Sequence, residues 1–444
     1  MSSVSYFWHP MQHPRQDRAP LRIVRADGCY VQDDRGRQLV DGSAGLWNVN
    51  VGHNRPEVKA AIAAQLDELE FFQLFNGIGH PRAEELSRVL HEMLAPEGME
   101  RFVYSSGGSD AVESALKLAR QYWKLQGQAD RTKFISLRHG YHGTHFGGAS
   151  VTGNPVFHRH YEPLLPGCFH VETPWLYRNP FTTDPLELGR ICAELLEREI
   201  IAQGPDTVAA FIAEPVLGAG GVIVPPANYW PLIRAVCDRH GVLLIADEVI
   251  TGFGRSGALF GCRGWGVKPD ILCLAKGISS GYIPLGATAL GKPIADAFEQ
   301  NTTSAGAVMH GYTYAGHPVA CAAAIASLRI VREEDLPANA ALQGKALLEL
   351  LKPFEDRFEA VGEVRGKGLM IALDLVKDRN TREPLDPRAG YAALVASLTR
   401  EEGAIVRAVG SMIILSPPLV FRELHVEALA NALDRAFRKA PRPS

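Results

Sequence analysis

Short apolar runs that stop at a polar or glycine residue, each followed by a stretch of helical periodicity, recur through the first two thirds of the chain. This alternation constrains the fold more than any other feature. RFVYSS (101–106) reads as a strand and SDAVESALKLARQYWKLQG (109–127) as a helix. TKFISL (132–137) is a second strand, and a helix is predicted over 184–204. VAAFIAEPV (208–216), a helix over 228–241, VLLIADEVI (242–250) and DILCLAK (270–276) continue the pattern. Strands that are apolar throughout, rather than on alternate positions, are covered on both faces. Interleaved with helices, they predict an α/β architecture around a mostly parallel sheet.

The chain of 444 residues exceeds the usual reach of one hydrophobic core. A large domain over 61–330 is expected, ending with a long helix of small apolar residues over 317–336. A smaller α+β domain over 331–444 follows, which the short strands of segment 1–60 would join. Formal net charge is only −3, so no nucleic acid or membrane surface would be held by bulk electrostatics. The seven cysteines form no C-x-x-C pair, which argues against a disulfide scaffold or a zinc site. It points instead to a reducing compartment, the cytoplasm. Met1 to Gln16 lacks the apolar core of a secretory leader, and no apolar run approaches the ~20 residues needed to span a bilayer.

In such sheets ligands bind beyond the carboxyl ends of the strands. The first of these ends is Ser105-Ser106-Gly107-Gly108-Ser109, directly before a helix. Glycines permit close backbone approach and a helix start offers free N–H groups, an arrangement suited to a phosphate as well as to a plain turn. No G-x-x-x-x-G-K-[ST] loop for a nucleoside triphosphate is present. VLLIADEVI brings Asp247 out of an apolar strand, where its carboxylate needs a partner: a protonated pyridine nitrogen, a metal or a satisfied strand-end donor. ILCLAKGISSG places Lys276 after an apolar strand, where burial would lower its pKa and ready the amine to form a Schiff base. Phosphate cradle, acid and amine together match a site for pyridoxal 5'-phosphate (PLP).

Two other motifs compete. GFGRSG (252–257) fits the G-x-G-x-x-G dinucleotide pattern, but the following ALFGCRGWGVKPD makes a poor helix, against a nicotinamide dehydrogenase. GISSG (277–281) fits the G-x-S-x-G elbow of serine hydrolases, but Pro284 and Gly286 stand where the helix should begin.

At SGGSDA (106–111), GYHG (140–143), AEPVLGAGGVIVPP (213–226), ADEVITGFGR (246–255), LAKGISSGYIPLGA (274–287) and GYTYAGHP (311–318) the sequence resembles the class III aminotransferases, the ω-amine or β-alanine:pyruvate type. The likeness runs from residue 41 to residue 419. It implies the type I fold of PLP-dependent transferases and transfer of an amino group from a primary amine or ω-amino acid to a keto acid such as pyruvate. It implies that Lys276 holds the cofactor and moves the proton, that Asp247 pairs with the pyridinium, and that Ser106, Gly107, Gly108 and Ser109 take the phosphate. Tyr141 would lie against the ring, with His142, Glu214 and Val249 around it. Thr313 would reach the phosphate of a neighbouring subunit, making the enzyme an obligate homodimer whose assembly into tetramers is left open. Arg407 would grip the acceptor carboxylate, and Trp47, Phe75 and Tyr141 would line the substrate pocket. Read without the resemblance, Trp47, Phe75 and Tyr141 are more often core aromatics than pocket walls, and Arg407 is more often a surface residue. A decarboxylase, racemase or aminomutase of the same fold is the alternative reaction. The chain departs from its relatives at Gly107-Gly108-Ser109-Asp110, where Ser-Gly-Ser-Glu is frequent. It departs also at Leu217, where Gln is frequent, and at Ser411, where Asp is; both bear on substrate range.

Overall fold

A computed structural model describes residues 6–15 and 20–442. Residues 1–5 and 16, part of the segment read as no secretory leader, lie outside the described residues.

The central sheet has seven strands in the order Met99–Ser105, Gly286–Gly291, Ile271–Leu274, Leu243–Asp247, Val208–Ala213, Lys133–Leu137 and Cys168–Val171. The last five are mutually parallel, and only Gly286–Gly291 runs against its neighbours. Val208–Ala213 and Leu243–Asp247 are buried at every residue, as expected of strands covered on both faces. On one face Phe134, Ile212, Ile245 and Ile271 pack beneath helix Gly108–Leu125. On the other Ile135, Phe211 and Leu244 meet helices Pro185–Gln203 and Tyr229–His240. A fully buried side chain of this size contributes about 1.5–3 kcal/mol, so these layers are a large part of what holds the strand ends in place.

Most elements lie within two or three residues of the sequence expectation. Strand 242–250 is shorter than expected and ends at Asp247, which is therefore its last residue. The antiparallel strand Gly286–Gly291 was not foreseen, because GATALG carries neither alternation nor β-branched enrichment. Its small residues fit because the strand is buried throughout, with the Thr288 hydroxyl donating to the Ala111 carbonyl at 2.8 Å. After GFGRSG there is a single 3₁₀ turn, Cys262–Trp265, and after GISSG comes this strand rather than a helix.

Towards the C-terminus, Val361–Gly366, Ile371–Asp378, Met412–Leu415 and Arg407–Val409 form an antiparallel sheet edged by Glu383–Pro384. Ile23–Asp27, Tyr30–Asp33 and Gln38–Asp41 form another, which Ala404–Ile405 joins in parallel register with Val40 and Asp41. The fully buried Arg255 ties these parts to the loop beyond Asp247. It donates to Asn50 Oδ1 at 2.9 Å and to the carbonyls of Leu369 and Pro417. Burial pushes its pKa down to about 9. Among the described residues no helix is long and apolar enough to cross a membrane, and no three His, Cys, Asp or Glu side chains are arranged to hold a metal ion. All seven cysteines are free thiols.

Candidate active site

The carboxyl ends of the central strands open onto a cleft of about 330 Å³. Ser106, Gly107, Gly108 and Ser109 form one wall, Tyr141, His142 and Glu214 another, and Asp247, Val249 and Lys276 the floor. Ten of the residues singled out in the sequence thus face one space.

Helix Gly108–Leu125 begins at the wall, and its N-cap is Gly107, which has no side chain with which to cap the first turn. The first N–H groups therefore remain available to an anion. A Cβ at Gly107 would meet nothing within 4 Å, whereas one at Gly108 would stand 2.8 Å from Val249 Cγ1. The second glycine is thus required by packing and the first keeps the approach open. Asp110, the departure from the usual Glu, accepts from the Ser106 N–H at 2.9 Å and from His145 Nε2 at 2.6 Å. It braces the turn by taking the Ser106 N–H and leaves the donors at the helix start in place. Gly143, at φ +102, packs so closely that a Cβ would lie 2.6 Å from Ser109 Oγ.

Asp247, at the end of its apolar strand, is only 3 % exposed. One carboxylate oxygen accepts from His142 Nδ1 at 2.8 Å, the other from the Val249 N–H at 3.1 Å. The adjacent acid, Glu248, turns away and is spent on the N–H groups of Gly261 and Cys262 and on Thr251. Glu214 receives the Tyr141 N–H at 3.0 Å and the Gly218 N–H at 2.8 Å. Burial, with the Asp247 charge, pushes it up to about 7, against the lowering influence of His142.

Lys276 follows strand Ile271–Leu274 and takes φ +48, a left-handed backbone that is uncommon outside glycine. Its neighbour Gly277 could not carry a side chain, since a Cβ would overlap Asn50 Nδ2 at 2.4 Å. The amine is pushed down from its ordinary value, first by burial and further by the Arg407 cation, while Asp247 and Glu214 pull it back up. Tyr141 is raised by burial and by the charges of Asp247 and Glu214, and Arg407 opposes this. Arg407, on the short strand Arg407–Val409, therefore acts within electrostatic reach of both Lys276 and Tyr141.

Four of the predicted residues do not line the cleft: Arg407, which reaches it only through its field, and Trp47, Phe75 and Thr313. Trp47 is 2 % exposed and packs with Val216, Met370 and the cleft residue Ile250, so it lies one layer behind the wall. Phe75 is 42 % exposed, and its ring lies 3.1 Å from where a Cβ on Gly311 would be. It thus packs on the loop that carries the exposed Thr313. The sequence reading missed Asn48, Ile250 and Ser279, which line the cleft from the N-terminal strap and the two strand-end loops. Asn48, beside Trp47 in LWNVN, had position as its one signal.

The donor set fits PLP: free helix-start N–H groups and an open glycine for a phosphate, a buried carboxylate for a ring nitrogen, and a desolvated amine for an aldehyde. Fold and cleft together define a PLP-dependent enzyme of the type I fold. The class-III aminotransferase family model matches residues 11–437, and the chain belongs to that family. It is 40 % identical over 409 residues to the putrescine–pyruvate aminotransferase of Pseudomonas aeruginosa, covering 92 % of this chain and 88 % of the relative. An amine transaminase from an uncultivated Pseudomonas species, solved in its PLP-bound form, superposes with a TM-score of 0.97 at 57 % identity, covering 98 % of this chain and 99 % of that one. A thermostable ω-transaminase variant, engineered at a tryptophan, a phenylalanine and an arginine for asymmetric synthesis of bulky amines, superposes at 0.95 with 38 % identity and 98 % coverage of both chains. The protein is an aminotransferase that uses PLP to move an amino group from an amine to a keto acid.

Proposed function

We propose that the chain is an amine:pyruvate aminotransferase acting on primary amines or ω-amino acids. The observation that carries this is a desolvated Lys276 amine sharing one cleft with buried Asp247, within the field of the Arg407 cation. The pyruvate-using and amine-using relatives support the choice of partners.

Bound in the cleft, PLP supplies an aldehyde that condenses with amines and a protonated ring that draws electrons away from the bond being broken. Gly107, Gly108 and Ser109 would hold the phosphate by backbone donation, with Ser106, whose own N–H is given to Asp110, beside them. Asp247, kept in place by His142 and Val249, holds the ring nitrogen charged. Tyr141 lies against the ring, and Glu214 fixes the Tyr141 backbone. Lys276, readied by burial, would accept a proton at Nζ from the carbon bearing the amino group and donate it again, a transfer worth about 10²–10⁴-fold. Arg407 receives the carboxylate of the keto acid, so amine and acid use the same cleft in turn.

Trp47 and Phe75 shape the substrate end. The tryptophan and phenylalanine altered in the bulky-amine variant are separated by the same number of positions as Trp47 and Phe75, and the arginine follows at nearly the distance of Arg407. Thr313 is assigned to the phosphate of a second copy. The exposed Phe75, Met309 and Tyr314 around it support a homodimer. The pairing of Ala404–Ile405 with the first strands supports a small domain built from both chain ends, around a large domain over 61–330. The seven free thiols suit the cytoplasm.

The test is incubation of the PLP-loaded enzyme with pyruvate and a panel of putrescine, an ω-amino acid and a simple arylalkylamine, following alanine. Alanine should form with at least one donor. Retention of PLP with no alanine from any of them overturns the proposal.

A further inference from the structure

Beyond His142, three polar atoms are buried with no protein partner among the described residues: Nε2 of His142, Nε2 of His170 and the hydroxyl of Ser136. They belong to one neighbourhood. Ser136 and His170 are cross-strand partners in the parallel pair Lys133–Leu137 and Cys168–Val171. Their side chains leave the same face, from backbones about 5 Å apart. The point where a Cβ on Gly140 would stand is 3.2 Å from His142 Nε2 and close to the Leu137 carbonyl, at 3.0 Å. That nitrogen therefore sits over the carboxyl end of the strand that carries Ser136. Thr152 ties the group together. Its hydroxyl accepts from the His142 backbone N–H at 2.9 Å, and its carbonyl is held by the His158 ring. The centroid of that ring is 5.9 Å from that of His170. Burial, and then the nearby His158 and His142, push His170 down to about 4, so its ring is neutral near pH 7 and keeps one nitrogen as an acceptor.

A buried polar atom with no partner destabilises the fold, and a buried water typically makes about three hydrogen bonds. We propose that Ser136, His142 and His170 hold one buried water, and that through it and His142 His170 is a positioning residue for Asp247. The inference rests on the role proposed above for Asp247. His142 meets Asp247 through Nδ1, and which of its nitrogens carries the proton is decided by what Nε2 meets. A water oriented by Ser136 and His170 donates to Nε2, which keeps Nε2 an acceptor and commits the Nδ1–H to the carboxylate. The acid is thus steadied by a chain of imidazole, water and imidazole that leads away from the cleft.

Diffraction from crystals of the PLP-loaded enzyme should show one water within about 3.2 Å of all three atoms. Three atoms pointing apart, with no shared water, overturn the proposal. Titration of apoenzyme with PLP should give an affinity about tenfold weaker in His170→Leu than in wild type, with most of the loss recovered in His170→Gln, which keeps a polar group. Ser136→Ala should fall between them. In labelled protein the ring ¹⁵N shifts of His142 should move towards mixed tautomers in His170→Leu. Equal affinity in His170→Leu and wild type, or equal loss in the Leu and Gln variants, overturns the assignment. If His170→Leu fails to fold, Ser136→Ala and its His142 shifts decide instead. Asp247→Asn separates the two readings. Lost affinity there with wild-type affinity in His170→Leu sinks this inference alone, and unchanged affinity there sinks both.

Discussion

The floor of the cleft and its rim are built on opposite terms. On the floor and the wall beside it, Asp247, His142 and Glu214 are buried and hydrogen-bonded, and Asp247 and Glu214 stand at the ends of strands that are themselves buried on both faces. On the rim, Phe75, Met309, Thr313 and Tyr314 lie on loops and are exposed in the single chain. The floor residues named here come from one chain, while the rim presents apolar groups that the proposed second copy would cover. On the proposed reading, the groups that perform the chemistry are held by the scaffold, while Phe75 and Thr313 at the entrance are held by loops.

Substitutions can break this contrast, beginning with the largest effect. Lys276→Ala should lower alanine formation by about 10⁴-fold or more and abolish the absorbance of the lysine-bound cofactor. A residual rate near wild type would take Lys276 off the floor altogether. Asp247→Asn removes the charge proposed to face the ring nitrogen, a change that costs about 3–5 kcal/mol. PLP affinity or turnover should therefore fall by about 10²–10³-fold, read by cofactor titration and steady-state kinetics. Arg407→Ala tests the border between floor and rim. The KM for pyruvate should rise about 10–100-fold while that for an amine without a carboxylate barely changes, and equal effects on both would remove Arg407 from acid recognition. Gly108→Ala drives a methyl into Val249 and should weaken PLP binding about tenfold.

The smallest effect concerns pH. Glu214 is raised from its ordinary 4.5 to about 7, so between those values the folded protein binds more protons than the unfolded chain. Stability should therefore fall as pH rises from about 4.5 to 7 and level off above. Glu214→Gln should flatten that part of the melting-temperature profile, and an unchanged slope would assign it to other groups.

The floor was legible in the sequence because it obeys a simple rule. A polar residue that closes an apolar strand must do something with its charge, and Asp247 and Lys276 each close one. Which of the adjacent acids Asp247 and Glu248 faces the cleft was settled in three dimensions, by the turn at Gly261 that claims Glu248. The strand Gly286–Gly291 was missed because its small residues are chosen by tight packing rather than by β-propensity. Trp47 and Phe75 show the limit of residue type: one is sealed behind the wall and the other stands in the open, a difference set by contacts far away in sequence. The partners of Arg255, drawn from Asn50, Leu369 and Pro417, were unreadable for the same reason.

The backbone of Lys276 has a consequence of its own. A side chain held at φ +48, with its amine stripped of water, sets the fold against itself at that position. Glycine there would relieve both strains at once, so the apoprotein carrying Lys276→Gly should outlast its parent on heating. On the proposed mechanism the hardier molecule would be an inert one, and selection for endurance alone would erase the residue that turnover would need.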